Sequence, residues 1–390
     1  MHRTRDERAQ ILIVVDSPES GAQLNQLIAR SRGLRCIGTA TDQQTGVQMY
    51  QRERPQLVVA GPSSPHGHTL NTIQHLTSEP GARVVAVCQD TPKGASLGVE
   101  ALQRGALDLL CAPVNSARGD LLLRDELCFR IRTLLASGAE LKSSPDRPAG
   151  LWKTSAPASA VPTNLNGVEQ RLFEAERSIV IAAAGIGGPR SFLQCFPAFT
   201  NPLPPLVVAQ LLPANLTAAL AKQLDSNSAI RCKVAENGDV LQPNTAYLTP
   251  ADQQTVVVRQ NGVPTLLVHW DLPQHAGRPR PSVDVLMQSA AIAYGQKCLG
   301  LLMTGNGRDG VAGARAITVS GGFVLAQDEE SCLASGTVRL ARKLNYIDRS
   351  VPIQDLPEAL ASVTPILGRP EISVVRSPLF DPGPLHSCAV

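Results

Sequence analysis

With 390 residues, 43% of them hydrophobic, the chain is long enough for two or three ordinary domains, each with its own core. Its net charge of +3 is dispersed without a basic run, and aromatics make up only 3%, which argues against a nucleic-acid surface or a base-stacking platform. No apolar run reaches the roughly 18 residues that span a bilayer, so membrane insertion is not expected.

Nine cysteines are scattered along the chain without a CxxC spacing. That pattern favours free buried thiols in a reducing cytosol over disulfides or zinc. The start, "MHRTRDERAQ", is charged and lacks an apolar core, so a secretory signal is not expected. A cytoplasmic protein with no cofactor and no bound metal is the resulting expectation.

In chain order, "ILIVV" (11–15), "RCIGTA" (35–40), "QLVVAG" (56–61), "RVVAVC" (83–88) and "LDLLCAP" (107–113) read as five strands. Amphipathic stretches lie between them, such as "ESGAQLNQLIARS" with Leu24, Leu27 and Ile28 at helical spacing, and a last helix is predicted over 117–136. Alternation of this kind implies right-handed βαβ units and a parallel, flavodoxin-like sheet over 1–137. Residues 138–167 are rich in Pro, Ser and Ala and read as a linker. A second, doubly wound α/β pattern is expected over 168–368, with apolar runs at 179–184, 205–209, 255–258, 265–268, 299–303 and 322–326. The Pro-rich end, 369–390, is expected to be a loose tail.

Open α/β sheets bind ligands at the carboxyl ends of their strands, which here carry Val15, Asp16, Gly61, Cys88 and Ala112. The order of elements, and above all "TPKGASLGVEALQRGALDLLCAP", resembles a response-regulator receiver domain. That resemblance implies an acid pair for magnesium, a phosphoacceptor aspartate, a hydroxyl and a lysine. On this chain the acid pair falls on Val15 and Asp16, the phosphoacceptor on Gly61, the hydroxyl on Cys88 and the lysine on Ala112. Gly61 has no side chain to phosphorylate, and one carboxylate without a phosphate partner holds magnesium poorly. Asp16 is therefore read as an acid beside a helix N-terminus, with residual metal binding as the other reading. Ser63 and Ser64 are weighed as replacement acceptors and set aside, because positioning matters to the transfer.

In the second region, "SIVIAAAGIGGPRSF" (178–192) runs from strand through glycine turn to helix, a shape in which α/β enzymes place a nucleophile or a phosphate. The turn holds no Ser, Cys, Thr or Lys. "VAENGDVLQPNTAYLTP" (234–250), "HAGRPRPSVDVLMQSAA" (275–291), "LLMTGNGRDGVAGARAI" (301–317) and "LAQDEESCLASG" (325–336) resemble, in order and spacing, the chemotaxis protein-glutamate methylesterase family, CheB. The resemblance implies hydrolysis of receptor glutamate methyl esters by a Ser-His-Asp triad. Its serine position is Gly185, its histidine position is Leu211 in "VVAQLLP", and its aspartate is Asp309 in "GNGRDG".

In such a triad the imidazole takes the hydroxyl proton and the carboxylate orients the imidazole. Asp309 alone orients nothing, and an alternative role is to accept backbone N–H bonds within its own loop. Ser191, Cys195, His269 and His275 are weighed as substitutes and read as helix surface, core thiol and loop imidazoles; Arg308 and Asp309 are expected to make separate contacts. The sequence thus points to an inactive relative that docks on a chemoreceptor or histidine-kinase complex, against an active methylesterase with a relocated nucleophile.

Overall fold

A computed structural model describes residues 8–31, 33–112, 117–136, 177–199, 202–269 and 280–367. The linker at 138–167, the tail at 369–390 and His275 lie outside the described residues.

The first unit is a five-stranded parallel sheet in the order β2-β1-β3-β4-β5. Its strands are β1 (Ala9–Val15), β2 (Leu34–Ala40), β3 (Leu57–Gly61), β4 (Val84–Gln89) and β5 (Asp108–Ala112). Helices α1 (Pro18–Ala29), α2 (Gln43–Glu53), α3 (His68–Thr77), α4 (Pro92–Gln103) and α5 (Ala117–Ala136) alternate with them. Strands β1 and β3 are apolar almost throughout, as a sheet covered on both faces requires. Helices start where the sequence supplies caps: the Ser17, Asp42 and Thr91 side chains accept from Ser20, Thr45 and Gly94 N–H groups, and Pro18 and Pro92 occupy first-turn positions that need no donor.

The second unit contains β6 (Ile179–Ala184), α6 (Gly188–Cys195), β7 (Leu206–Gln210), α7 (Ala214–Asn227), β8 (Arg231–Val234), β9 (Thr245–Leu248), β10 (Gln254–Gln260) and β11 (Val263–His269). It continues with α8 (Val283–Tyr294), β12 (Cys298–Leu302), α9 (Val311–Val319), β13 (Phe323–Gln327), α10 (Gly336–Lys343), β14 (Arg349–Val351) and α11 (Leu356–Val363). Seven strands form a parallel sheet in the order β14-β13-β12-β6-β7-β9-β8, so β6 sits centrally and its carboxyl end opens at the middle of the sheet edge.

Two of the predicted runs behave differently from their neighbours. Residues 255–258 and 265–268 pair antiparallel with each other, as β10 and β11, and stay outside the main sheet. The turn between them, Asn261–Gly262, has φ of 52° and 83°, the left-handed geometry that closes a tight hairpin.

The two units meet over a packed seam. Leu97 of α4 shares a contiguous buried cluster with Leu212 and with Leu216 of α7. Ile186, Leu333 and Ala334 of the second unit are buried in one cluster with Val15, Val87, Leu110, Leu127 and Ile131 of the first.

Candidate functional site

In the first unit the end of β3 is closely packed. A Cβ placed on Gly61 would sit 3.2 Å from Val15 Cγ1 and 3.3 Å from Leu24 Cδ1. Apolar carbon therefore crowds the place that the receiver resemblance assigns to a phosphorylated carboxylate. Asp16 lies at the end of β1 with its side chain only 8% exposed. One carboxylate oxygen accepts from the N–H groups of Ser63 (2.8 Å) and Ser64 (3.2 Å). The other accepts from the Thr69 N–H (3.0 Å) and hydroxyl (2.7 Å), in the first turn of α3. Gly67, the N-cap of α3, supplies no side-chain cap of its own, and any Cβ there would strike the Asp16 carboxylate at 2.3–2.5 Å. Asp16 thus caps α3 from another strand. Burial pushes its carboxyl upward, and the hydrogen bonds from Ser63, Thr69 and Ser64 outweigh that push, leaving it below the ordinary carboxylate value. Among the described residues, no group of three or more His, Cys, Asp or Glu side chains is placed to hold a metal. Cys88 is buried, Ala112 is partly buried, and neither offers a hydroxyl or an ammonium.

In the second unit, the bend after β6 keeps its backbone shape. Gly187 has φ +80°, where an L side chain is strained, and the Gly188 N–H closes onto the Gly185 carbonyl at 2.9 Å. Thr304 holds the turn: its carbonyl accepts from Gly185 N–H (2.7 Å) and its hydroxyl donates to the Ile186 carbonyl (2.8 Å). A Cβ on Gly185 would lie 3.1 Å from Gly305 Cα, so a serine there requires the neighbouring loop to yield by a few tenths of an ångström. Leu211, just past β7, is 58% exposed. Gln210 beside it is buried and donates from Nε2 to the Gly185 carbonyl at 3.1 Å, fixing the bend rather than taking a proton.

Asp309 accepts three hydrogen bonds: from Ser282 Oγ (3.0 Å), Val283 N–H (2.8 Å) and Asp284 N–H (2.9 Å). These donors belong to the first turn of α8, not to the Asp309 loop, which corrects that part of the sequence expectation. Asp284 reciprocates by accepting from Gly310 and Gly313 N–H groups at 2.8 and 2.7 Å, at the start of α9. The two aspartates therefore cap each other's helices. Among the described residues, no imidazole is hydrogen-bonded to Asp309.

Among the described residues, Ser282 is the one hydroxyl on that carboxylate, and sequence reasoning did not single it out. It is 1% exposed and is also the N-cap of α8, so an ester has no approach to it. Ser191 is buried rather than on the helix surface, a second correction: the short α6 is enclosed nearly all round, with Pro189, Phe192, Leu193 and Cys195 buried as well. Cys195 is a core thiol, pushed up by burial to about 12. His269 ends β11 and Arg308 is exposed.

The first unit sits on the bend. Asp108, at the start of β5 and wholly buried, accepts from Gly187 N–H (3.2 Å) on one oxygen and from Arg130 Nη1 (2.8 Å) on the other. Arg130 of α5 also reaches Glu126 at 2.6 Å. Burial works against its charge, but Asp108 and Glu126 prevail and hold it protonated. Asn215 Nδ2 bonds Asp90 Oδ1 (3.1 Å) and Asn306 Nδ2 bonds Thr133 Oγ1 (3.4 Å), so contacts across the seam flank the bend. Asp108 and Arg130 were legible in the sequence only as part of an apolar strand and a predicted last helix.

A receiver-type sheet docked on a methylesterase-type sheet defines the class of protein, and comparison with known proteins agrees. The family model "CheB methylesterase" matches residues 179–360. Protein-glutamate methylesterase/protein-glutamine glutaminase 5 of Myxococcus xanthus is 30% identical over 89% of this chain and 95% of that protein. The enzyme of that description from Pyrococcus horikoshii is 29% identical over 92% of this chain and 95% of its own length. Among solved structures, the methylesterase catalytic domain of Thermotoga maritima CheB is 32% identical, covers 48% of this chain and 98% of that one, and has a TM-score of 0.45. The response-regulator domain of the same protein is 22% identical, with a TM-score of 0.29 over 33% of this chain and 97% of that one. The chain belongs to the CheB methylesterase family.

Proposed function

We propose that this chain is a non-hydrolysing member of its family, acting as a docking or regulatory protein in chemotaxis-type two-component signalling. The observation that carries the reading is the pairing of Gly185, closed against Gly305, with an exposed Leu211 where proton transfer would need an imidazole. Asp309 is engaged as a helix cap, and the first unit covers the bend through Asp108. The proposed organisation is a receiver-like domain at 1–137, a linker at 138–167, a methylesterase-like domain at 168–368 and a tail at 369–390.

Its partners in this reading are a chemoreceptor or histidine-kinase complex in the cytoplasm. Among the described residues, no helix is long and apolar enough to cross a membrane. Gly61 leaves the receiver-like unit without an aspartyl phosphate, so docking does not depend on phosphorylation. The second reading, a working methylesterase with a relocated nucleophile, draws on Ser282 alone, and the 1% exposure of that residue counts against it.

The test is to incubate the full chain with a methyl-esterified chemoreceptor fragment and follow each glutamyl ester and each glutamine by mass spectrometry. Esters and amides should persist at the buffer rate while the fragment co-elutes with the protein. Enzyme-dependent loss of either group would remove the proposal.

A further inference from the structure

Cys88 and Cys111 stand directly opposite one another in the register of parallel strands β4 and β5. Neighbouring strands lie about 4.8 Å apart, within the roughly 4.4–6.8 Å between Cα atoms that a disulfide bridges. Their sulfurs are already 3.2 Å apart. Other thiols meet other partners: Cys36 and Cys195 bond carbonyls, Cys128 bonds the Ser31 hydroxyl, and Cys232 bonds the Ile230 carbonyl. The pair differs in access. Cys88 is 2% exposed beneath α4, whereas Cys111 is partly exposed.

We propose that Cys88 and Cys111 are a redox-active thiol pair that closes to a disulfide within the first unit when a low-molecular-weight disulfide is the oxidant. The Cys111 thiolate attacks one sulfur of the oxidant, forming a mixed disulfide and expelling one thiolate, which takes up a proton. Cys88 then gives up its proton and attacks the Cys111 sulfur, forming the Cys88–Cys111 bond and expelling the second thiolate. Two protein thiols are oxidised and one small disulfide is reduced to two thiols. The contact with Cys111, together with burial, pushes the Cys88 thiol upward, which suits a resolving sulfur and not a first attacker.

The location gives the bond a consequence. It ties the carboxyl ends of β4 and β5, where Asp90 N–H bonds the Ala112 carbonyl and the Asp90 carboxylate bonds Asn215 of the second unit. The inference does not depend on whether the second unit hydrolyses esters.

The experiment equilibrates the reduced full chain with oxidised and reduced glutathione at set ratios, alkylates the remaining thiols, and maps tryptic peptides 84–93 and 105–118. Expected is a species lacking two alkylatable thiols, with no glutathione retained and the two peptides joined, reversed by dithiothreitol. Cys88→Ser should instead keep glutathione on Cys111, and Cys111→Ser should leave Cys88 alkylatable. Both peptides remaining alkylatable, separate glutathione adducts on each in the unaltered chain, or a bond mapped to another pair would each overturn the proposal. The mapping in the unaltered chain decides the matter if either variant fails to fold.

Discussion

Asp16 and Asp309 are the acids that the family resemblance places at the two sites, and both act as caps for a helix other than their own. A buried carboxylate with backbone donors stabilises without needing a ligand, since hydrogen bonds to a charged group contribute about 1.5–3 kcal/mol. Asp16→Ala should lower the unfolding free energy by about 2 kcal/mol at pH 7 in urea titrations. The Asp16 carboxyl lies below its ordinary value, so its contribution is fully present above about pH 4 and is lost as pH falls through the folded-state value. The gap between parent and variant should narrow below that pH; a gap constant from pH 7 to the acid transition would contradict the cap. Magnesium should leave the parent's thermal midpoint unmoved, because Ser63, Ser64 and Thr69 already occupy both Asp16 oxygens. Asp309→Ala should likewise cost about 2 kcal/mol through the freed first turn of α8. Unchanged stability would mean that the carboxylate is held for something else.

At the level of elements, the seam is the feature with the most leverage. Arg130 and Asp108 form an ion pair with side chains 12% and 0% exposed, and Asp108 also receives the Gly187 N–H. Arg130→Ala strands a buried carboxylate at a cost of about 3–5 kcal/mol. It should also raise amide exchange across 186–190 well before the sheets unfold, whereas exchange that rises uniformly would show that the bend does not lean on α5. Most of the architecture was legible beforehand. The five strands of the first unit fall where apolar runs alternate with helical spacing, and Gly185, Gly187 and Gly188 mark the bend at β6. What stayed hidden has physical reasons. β8 and β14 are four and three residues long, too short for a period to register. The runs at 255–258 and 265–268 look like sheet strands by composition, although Asn261–Gly262 between them carried the hairpin signal. The partners of Asp309 lie 25–27 residues away along the chain, and the face that α5 turns toward the second unit is set by packing that no local pattern encodes.

For the molecule as a whole, the proposed inactivity has a consequence in each unit. In the proposed reading Gly61 offers the first unit no carboxylate to phosphorylate, and Gly185 and Leu211 offer the second no nucleophile or base. A small phosphodonor with magnesium should therefore add no mass to residues 8–136, and a gain located on Ser63 or Ser64 would reassign the acceptor. Among the described residues both units have extensive buried apolar clusters, so the proposed inactivity does not imply an unfolded product. Removing nucleophile or base from a hydrolytic triad typically lowers turnover on the order of 10⁶-fold. The most direct measurement is methanol release from a methyl-esterified chemoreceptor fragment, run beside a family member that carries all three triad residues. The account predicts a rate on the order of 10⁶-fold below that relative and identical in Ser191→Ala. A rate within about 100-fold of the relative would contradict it, as turnover so close to a full triad needs a working nucleophile and base.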